Sequence, residues 1–373
     1  MNTRKPVVLL APLDWGLGHT IRCIPIIHEL IVQGCEVLVA CNSKQKLLLT
    51  EEFPSLGFAD LIGYDIYYGN NRLQTIFNIV RQVPKILTRI NREKSWLESF
   101  LLKNRVSAVI SDNRYGFFST SLPCVFITHQ LKIKSGLGFL IDGLIQKILY
   151  SYINKFTECW IPDWKDSSSN AAGSLSHPEK FPRLAVKYIG CLSRFEKCDH
   201  TCDVKGLLIV LSGPEPQRSI LENALVDQLK AYNGPATVVR GVFGSQPIAP
   251  FNQINFLDRV PSKELNRMIC NAETLLCRAG YTTIMDILKL RKKSILIPTP
   301  GQAEQEYLAV HMHEKKVAVT MGQEDFCLDK ALKTVLQFQP LFIGQSMNGY
   351  KKTIEELVSA LKKPAFLIHP GSI

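Results

Sequence analysis

The sequence has no uninterrupted apolar run near the ~18–20 residues that a bilayer-spanning helix needs, which excludes that class of protein. It has no small-residue cleavage site behind its basic start. MNTRKPVVLLAPLDWG therefore reads as the approach to a buried strand, not as a signal peptide. It lacks an Asp-x-Asp motif for a divalent ion, so no metal and no cofactor is expected. It lacks a recognised nucleic-acid module, and its basic residues are not interleaved with aromatics in a repeating way, so nucleic acid is not an expected partner. Charged residues make up 21% and hydrophobic residues 46%, the balance of a globular protein and not of a disordered one.

The eleven cysteines are an odd count, and Cys23, Cys41, Cys124 and Cys277 lie inside apolar segments. That is the usage of reduced, buried thiols in the cytoplasm. Cys198-Asp199-His200-Thr201-Cys202 lacks a second ligand pair at zinc spacing and reads as a loop. The formal net charge of +11 favours anionic partners. With nucleic acid set aside, these are nucleotide diphosphates and an anionic membrane surface.

Apolar runs alternate with helical patterns from end to end. Strands are expected at Pro6–Pro12, Glu36–Cys41, Ser107–Ser111, Cys124–Thr128, Glu158–Pro162 and Val186–Ile189, with helices at Thr20–Val32 and along Arg72–Leu102. A second series opens at Gly206–Leu211. It continues through strands at Ala236–Arg240, Ile254–Leu257, Thr274–Cys277 and Ser294–Pro298. The intervening helices are expected at Ile220–Ala231, Glu264–Cys270, Thr282–Leu290, Ala303–Glu314, Leu328–Gln337 and Tyr350–Lys362. Alternation of this kind implies right-handed crossovers and parallel sheets. The expected architecture is α/β, two Rossmann-like domains with parallel sheets facing a cleft. Residues 1–190 form the acceptor-binding domain, 191–205 a linker and 206–349 the nucleotide-sugar-binding domain. Residues 350–373 form a C-terminal helix and tail placed to pack back on the first domain.

Two stretches carry the chemistry. In Asp14-Trp15-Gly16-Leu17-Gly18-His19, Gly16 and Gly18 allow a tight turn and close approach of a ligand to the backbone, and His19 is expected as the last residue before a helix. A histidine held there suits a general base, although Gly-x-Gly alone also makes an ordinary strand-to-helix turn. His129 and Asp112, each at a strand end, are the second choices. In the second stretch a strand ends at Arg278, and Ala279-Gly280 exposes amides at a helix start that Thr282 and Thr283 can cap. Asp286 follows one turn into that helix, and a Pro-rich loop then leads to Gln302-Ala303-Glu304-Gln305-Glu306.

This second stretch resembles the donor site of GT-B glycosyltransferases of family 28. The resemblance extends to the glycine turn ending in His19, to Thr128-His129-Gln130, and to Leu211-Ser212-Gly213-Pro214 at the place of the first loop of the donor domain. It implies transfer of a sugar from a nucleotide diphosphate, a UDP-sugar, to an acceptor hydroxyl with inversion. It assigns Ser212, Gly213, Gly280 and Thr282 to the phosphates, with Arg278 assisting, Asp286 to the ribose, and Gln305 with Glu306 to the sugar. Glu306 departs from the family's glutamine; an ionised carboxylate accepts hydrogen bonds but donates none. Gly16-Leu17-Gly18-His19 with Arg22-Cys23 also resembles UDP-sugar hydrolases, so a hydrolase or epimerase, or a non-catalytic UDP-binding module, stands as the alternative.

Residues 131–156 and 72–92 combine lysine or arginine with strong apolar patterns. Two readings stand: ordinary core-facing helices, or helices resting on an anionic membrane beside a lipid-linked acceptor, with the protein peripheral at the inner face.

Overall fold

A computed structural model describes residues 5–67, 69, 72–134, 138–197, 206–242, 244, 246–342 and 346–363. The first half runs β1 (Val7–Pro12), α1 (Leu17–Val32), β2 (Glu36–Cys41), α2 (Ser43–Glu52), β3 (Gly57–Asp60), α3 (Arg72–Lys103), β4 (Ala108–Asp112), β5 (Cys124–Ile127), α4 (Phe139–Ile153), β6 (Glu158–Ile161) and β7 (Ala185–Tyr188). The second half runs β8 (Leu207–Val210), α5 (Gln217–Leu229), β9 (Ala236–Val239), β10 (Ile254–Leu257), α6 (Ser262–Asn271), β11 (Thr274–Arg278), α7 (Tyr281–Leu290), β12 (Ser294–Ile297), α8 (Ala303–Glu314), β13 (Val319–Thr320), α9 (Leu328–Gln337) and α10 (Gly349–Lys362).

Each half builds one parallel sheet. The first has seven strands in the order β3-β2-β1-β4-β5-β6-β7, the second six in the order β10-β9-β8-β11-β12-β13. Central strands such as β4, β5 and β11 are buried along their whole length, and their apolar stretches 108–110, 124–127 and 275–277 run without alternation. Helices cover both faces, and each buried Leu or Ile contributes about 1.5–3 kcal/mol relative to exposure.

α10 returns to the first half. Tyr350, Ile354 and Val358 share a core with Ile26, Ile27 and Leu30 of α1. The two segments that cross between the halves touch: a Cβ on Gly190 would lie 3.3 Å from the carbonyl oxygen of Ser346, and one on Gly349 would lie 3.0 Å from that of Ile189.

The apolar pattern of the sequence does not announce α2 or β3. Leu47, Leu48 and Leu49 are consecutive, so α2 shows no helical period, and its signal is a capping box between Asn42 and Gln45. β3 is four residues long and lies at the sheet edge. Eight cysteines are free among the described residues and seven of them are buried, but Cys270 is disulfide-bonded, against the expectation of thiols throughout. The Cys198–Cys202 segment lies outside the described residues. No helix of the described residues is long and apolar enough to cross a membrane.

Candidate active site

In both sheets the strand order reverses next to the strand that starts the half, between β1 and β4 and between β8 and β11. The loops leaving such a pair diverge and open a crevice at the carboxyl ends of the strands. The two crevices meet. Thr282, in the first turn of α7, donates its hydroxyl hydrogen to the carbonyl oxygen of Gly18 at 3.1 Å, and a Cβ on Gly18 would lie 3.3 Å from that hydroxyl. Glycine at position 18 is therefore set by contact between the halves.

The first crevice holds a charged network. Arg22, 3% exposed, grips Asp112 with both edges of its fork: Nε donates to Oδ2 at 2.8 Å and Nη2 donates to Oδ1. The same guanidinium donates from Nη1 to His129 Nδ1 at 2.9 Å and from Nη2 to His19 Nδ1 at 2.8 Å. His19 Nδ1 is also 3.3 Å from Asp112 Oδ2. His129 Nε2 donates to Glu304 Oε1 of α8, 2.7 Å away in the other half, and its ring stacks on Tyr281 with centroids 3.9 Å apart. Burial alone would raise the Asp112 carboxyl, but Arg22 and His19 outweigh it and hold the group ionised, well below the usual carboxylate range. Burial, then Arg22, lowers the His19 pKa below 6.5, and Asp112 opposes them. The His19 side chain is 17% exposed and Asp112 is not exposed, so of this pair only the imidazole is open to a ligand.

The second crevice is unfinished by comparison. Arg278 is 1% exposed, yet no carboxylate faces it among the described residues. Its Nη2 donates to the carbonyl oxygen of Gln217 at 2.7 Å and its Nη1 lies near those of Ile297 and Pro298, but Nε has no partner. Burial pulls its pKa down to about 10, so it stays a cation at neutral pH. The buried hydroxyl of Thr299 also has no partner. Both converge on Gly213, whose φ is +105°: a Cβ there would meet Thr299 Oγ1 at 3.6 Å and Arg278 Nε at 3.9 Å. An Arg278 N–H and a Thr299 hydroxyl without partners, beside backbone that no side chain shields, form a cradle for an anion.

Of the sequence-derived candidates, His19, Asp112 and His129 meet in the first crevice, and Gly213 and Arg278 in the second. Gly16, with φ +114°, is the N-cap of α1, so the helix starts at Leu17 and His19 lies in its first turn instead of ahead of it. Gly280 is the N-cap of α7, and no side chain caps that helix: the Thr282 hydroxyl expected to do so reaches across to Gly18 instead. Ser212 is exposed next to Gly213. Asp286 is buried and accepts from Ser193 Oγ at 2.5 Å; burial raises its pKa to about 7, against Arg194 and Ser193. Gln305 and Glu306 brace their own loop, accepting from the backbone amides of Thr299 and Gly301, each at 3.0 Å. Arg22, Tyr281, Thr299 and Glu304 were not among the candidate site residues. An arginine three residues after His19, on the same helix face, is the available signal for the first of them.

Residues 245–359 match the glycosyltransferase family 28 C-terminal domain. The chain is 21% identical over 274 residues to a Bacillus pumilus UDP-N-acetylglucosamine–N-acetylmuramyl-(pentapeptide) pyrophosphoryl-undecaprenol N-acetylglucosamine transferase, covering 69% of this chain and 71% of the relative. Among solved structures it resembles Arabidopsis thaliana UGT89C1 complexed with quercetin, with TM-score 0.64, 12% identity and 96% and 100% of the two chains covered. It also resembles the spinosyn rhamnosyltransferase SpnG complexed with thymidine diphosphate, with TM-score 0.58, 14% identity and 96% of each chain covered. The architecture is GT-B, and the chain is family 28-like.

Proposed function

We propose that this family 28-like chain of the GT-B fold transfers a sugar from a UDP-sugar to an acceptor hydroxyl, with inversion at the anomeric carbon. The observation that carries the reading is the Arg278–Thr299–Gly213 cradle at the carboxyl end of the second sheet. A diphosphate supplies the missing acceptors there, and the amides at the start of α7 face the same crevice. Asp286 takes the ribose in exchange for Ser193, and Gln305 with Glu306 takes the sugar hydroxyls. The name of the Bacillus pumilus relative supports UDP as the nucleotide.

The acceptor oxygen forms a bond to the anomeric carbon and its proton passes to His19. The bond to the diphosphate breaks on the opposite face, and its electron pair leaves with UDP. Asp112, held ionised, stabilises the imidazolium that results. Arg278 and the helix-terminal amides meet the developing charge on the leaving group, a role that asks for no divalent ion. Calorimetric titration with UDP tests the cradle: binding is expected, and unchanged affinity in Arg278→Met removes its basis.

The acceptor is lipid-linked in this reading, and the protein works against the inner face of the membrane. Phe139, Leu140, Leu144 and Ile148 on α4 and Phe77, Val80, Val83 and Leu87 on α3 are exposed apolar side chains, with Lys85 and Lys147 on the same helices. Phe139 is 82% exposed and Leu140 74%, more than a core-facing helix leaves bare. Flotation with anionic vesicles is expected to recover the wild type in low salt and to lose the Phe139→Asp, Leu140→Asp variant. Equal recovery of both counts against the surface.

A further inference from the structure

We infer that Arg22 is a positioning residue: in the unliganded chain it holds His19 with the proton on Nε2, and proton acceptance requires His19 to trade its Nδ1 contact with Arg22 for one with Asp112. The inference rests on the reading of His19 as base and adds what controls it.

A guanidinium donates and never accepts. Arg22 Nη2 stands 2.8 Å from His19 Nδ1 and Nη1 stands 2.9 Å from His129 Nδ1, so both Nδ1 atoms carry lone pairs. Both neutral rings then carry their hydrogen on Nε2. For His129 that hydrogen is spent on Glu304 at 2.7 Å. In His19 the Nε2 position presents N–H, where an acceptor hydroxyl needs a lone pair. The alternative partner is already at hand, because Asp112 Oδ2 lies 3.3 Å from the same Nδ1. Moving the Nδ1 contact to Asp112 puts the proton on Nδ1 and frees Nε2. One proton leaves Nε2 and one arrives at Nδ1 through water in the cleft, with no change in charge.

The groups facing His19 are Arg22 and Cys23 of α1, Asp112 of β4, and His129 beyond β5, with Glu304 of α8 and Tyr281 of α7 behind His129. Cys23 is buried and its thiol is pushed well above its ordinary pKa, so it stays neutral. Arg22 lowers the His19 pKa and Asp112 raises it. Arg22 therefore sets both which nitrogen is protonated and how readily the ring takes a second proton.

Long-range proton–nitrogen spectra of protein labelled with 15N-histidine read the tautomer directly, with no substrate, and the spectrum of His19→Ala assigns the resonance. The wild-type ring is expected as the Nε2–H form. Arg22→Met is expected to move it to the Nδ1–H form and to raise the pH at which it protonates. Arg22→Met with Asp112→Asn avoids a lone buried carboxylate if the single variant does not fold, and there too the Nε2 locking is expected to be lost. An Nδ1–H ring in the wild type, or an unchanged ring in the folded Arg22 variants, overturns the inference. The base role fails separately, if His19→Ala retains turnover of a UDP-sugar.

Discussion

The two crevices have the same topology and opposite electrostatics. Between β1 and β4, every charge has been met: Arg22 satisfies Asp112 and both histidines, and Glu304 closes the chain from the other half. Between β8 and β11, Arg278 keeps an idle N–H and Thr299 an idle hydroxyl, both buried. A satisfied network keeps its histidines oriented and can take up a proton beside a carboxylate that offsets the added charge. An unsatisfied cradle gains most when an anion arrives, because a buried polar group without a partner costs about 1–3 kcal/mol. In the proposed reaction that difference divides the labour: the first half handles a proton, the second receives a phosphate.

That division can be broken from either side. The largest effect is expected from His19→Ala, which should lower turnover by about 10²–10⁴ while leaving UDP affinity nearly intact. A parallel loss of UDP affinity would show that the two crevices are not separable. Arg278→Met should do the reverse and cost about 2–5 kcal/mol of UDP affinity, measured by calorimetry. Asp286→Asn sharpens the contrast through stability. Burial raises its folded pKa from 3.8 to about 7, so the folded chain favours the protonated form and loses stability as pH rises between those values. The Asn variant should melt above the wild type, with a gap that opens from about pH 4 and is level above about pH 7. A constant gap would assign the effect to packing. The smallest effect is a shift in a pH profile. The base must be neutral, so kcat/KM should fall as pH drops through the lowered pKa of His19, below 6.5. Asp112→Asn removes the influence that raises that pKa and should move the acid limb to lower pH; a limb moving upward contradicts the sign of the pair.

The strands were legible because buried parallel strands are written as short apolar runs, as in Cys124–Ile127 and Leu207–Val210. Loops at their carboxyl ends follow from the alternation of strands and helices, which is why His19, Asp112 and Arg278 could be named, whereas Gly213 came from the resemblance to family 28. What pairs with what was not legible. Arg22 meets His129 across 107 positions of sequence, and His129 meets Glu304 across 175. Such pairs follow from sheet order and domain packing, and no local spacing records them. α2 escaped notice for the opposite reason: it is held by a local capping box and carries no apolar period.

One more consequence lies where the chain passes between halves. It does so twice, once near Gly190 and once near Gly349, and the two passages lie side by side at van der Waals distance. The halves also meet in a buried core where Trp164, Ala171 and Leu175 pack with Tyr281 and Leu308, so this crossing is one edge of a broad seam. A bulky side chain at position 349 would press on the Ile189 carbonyl and pry that edge of the seam apart without touching either crevice.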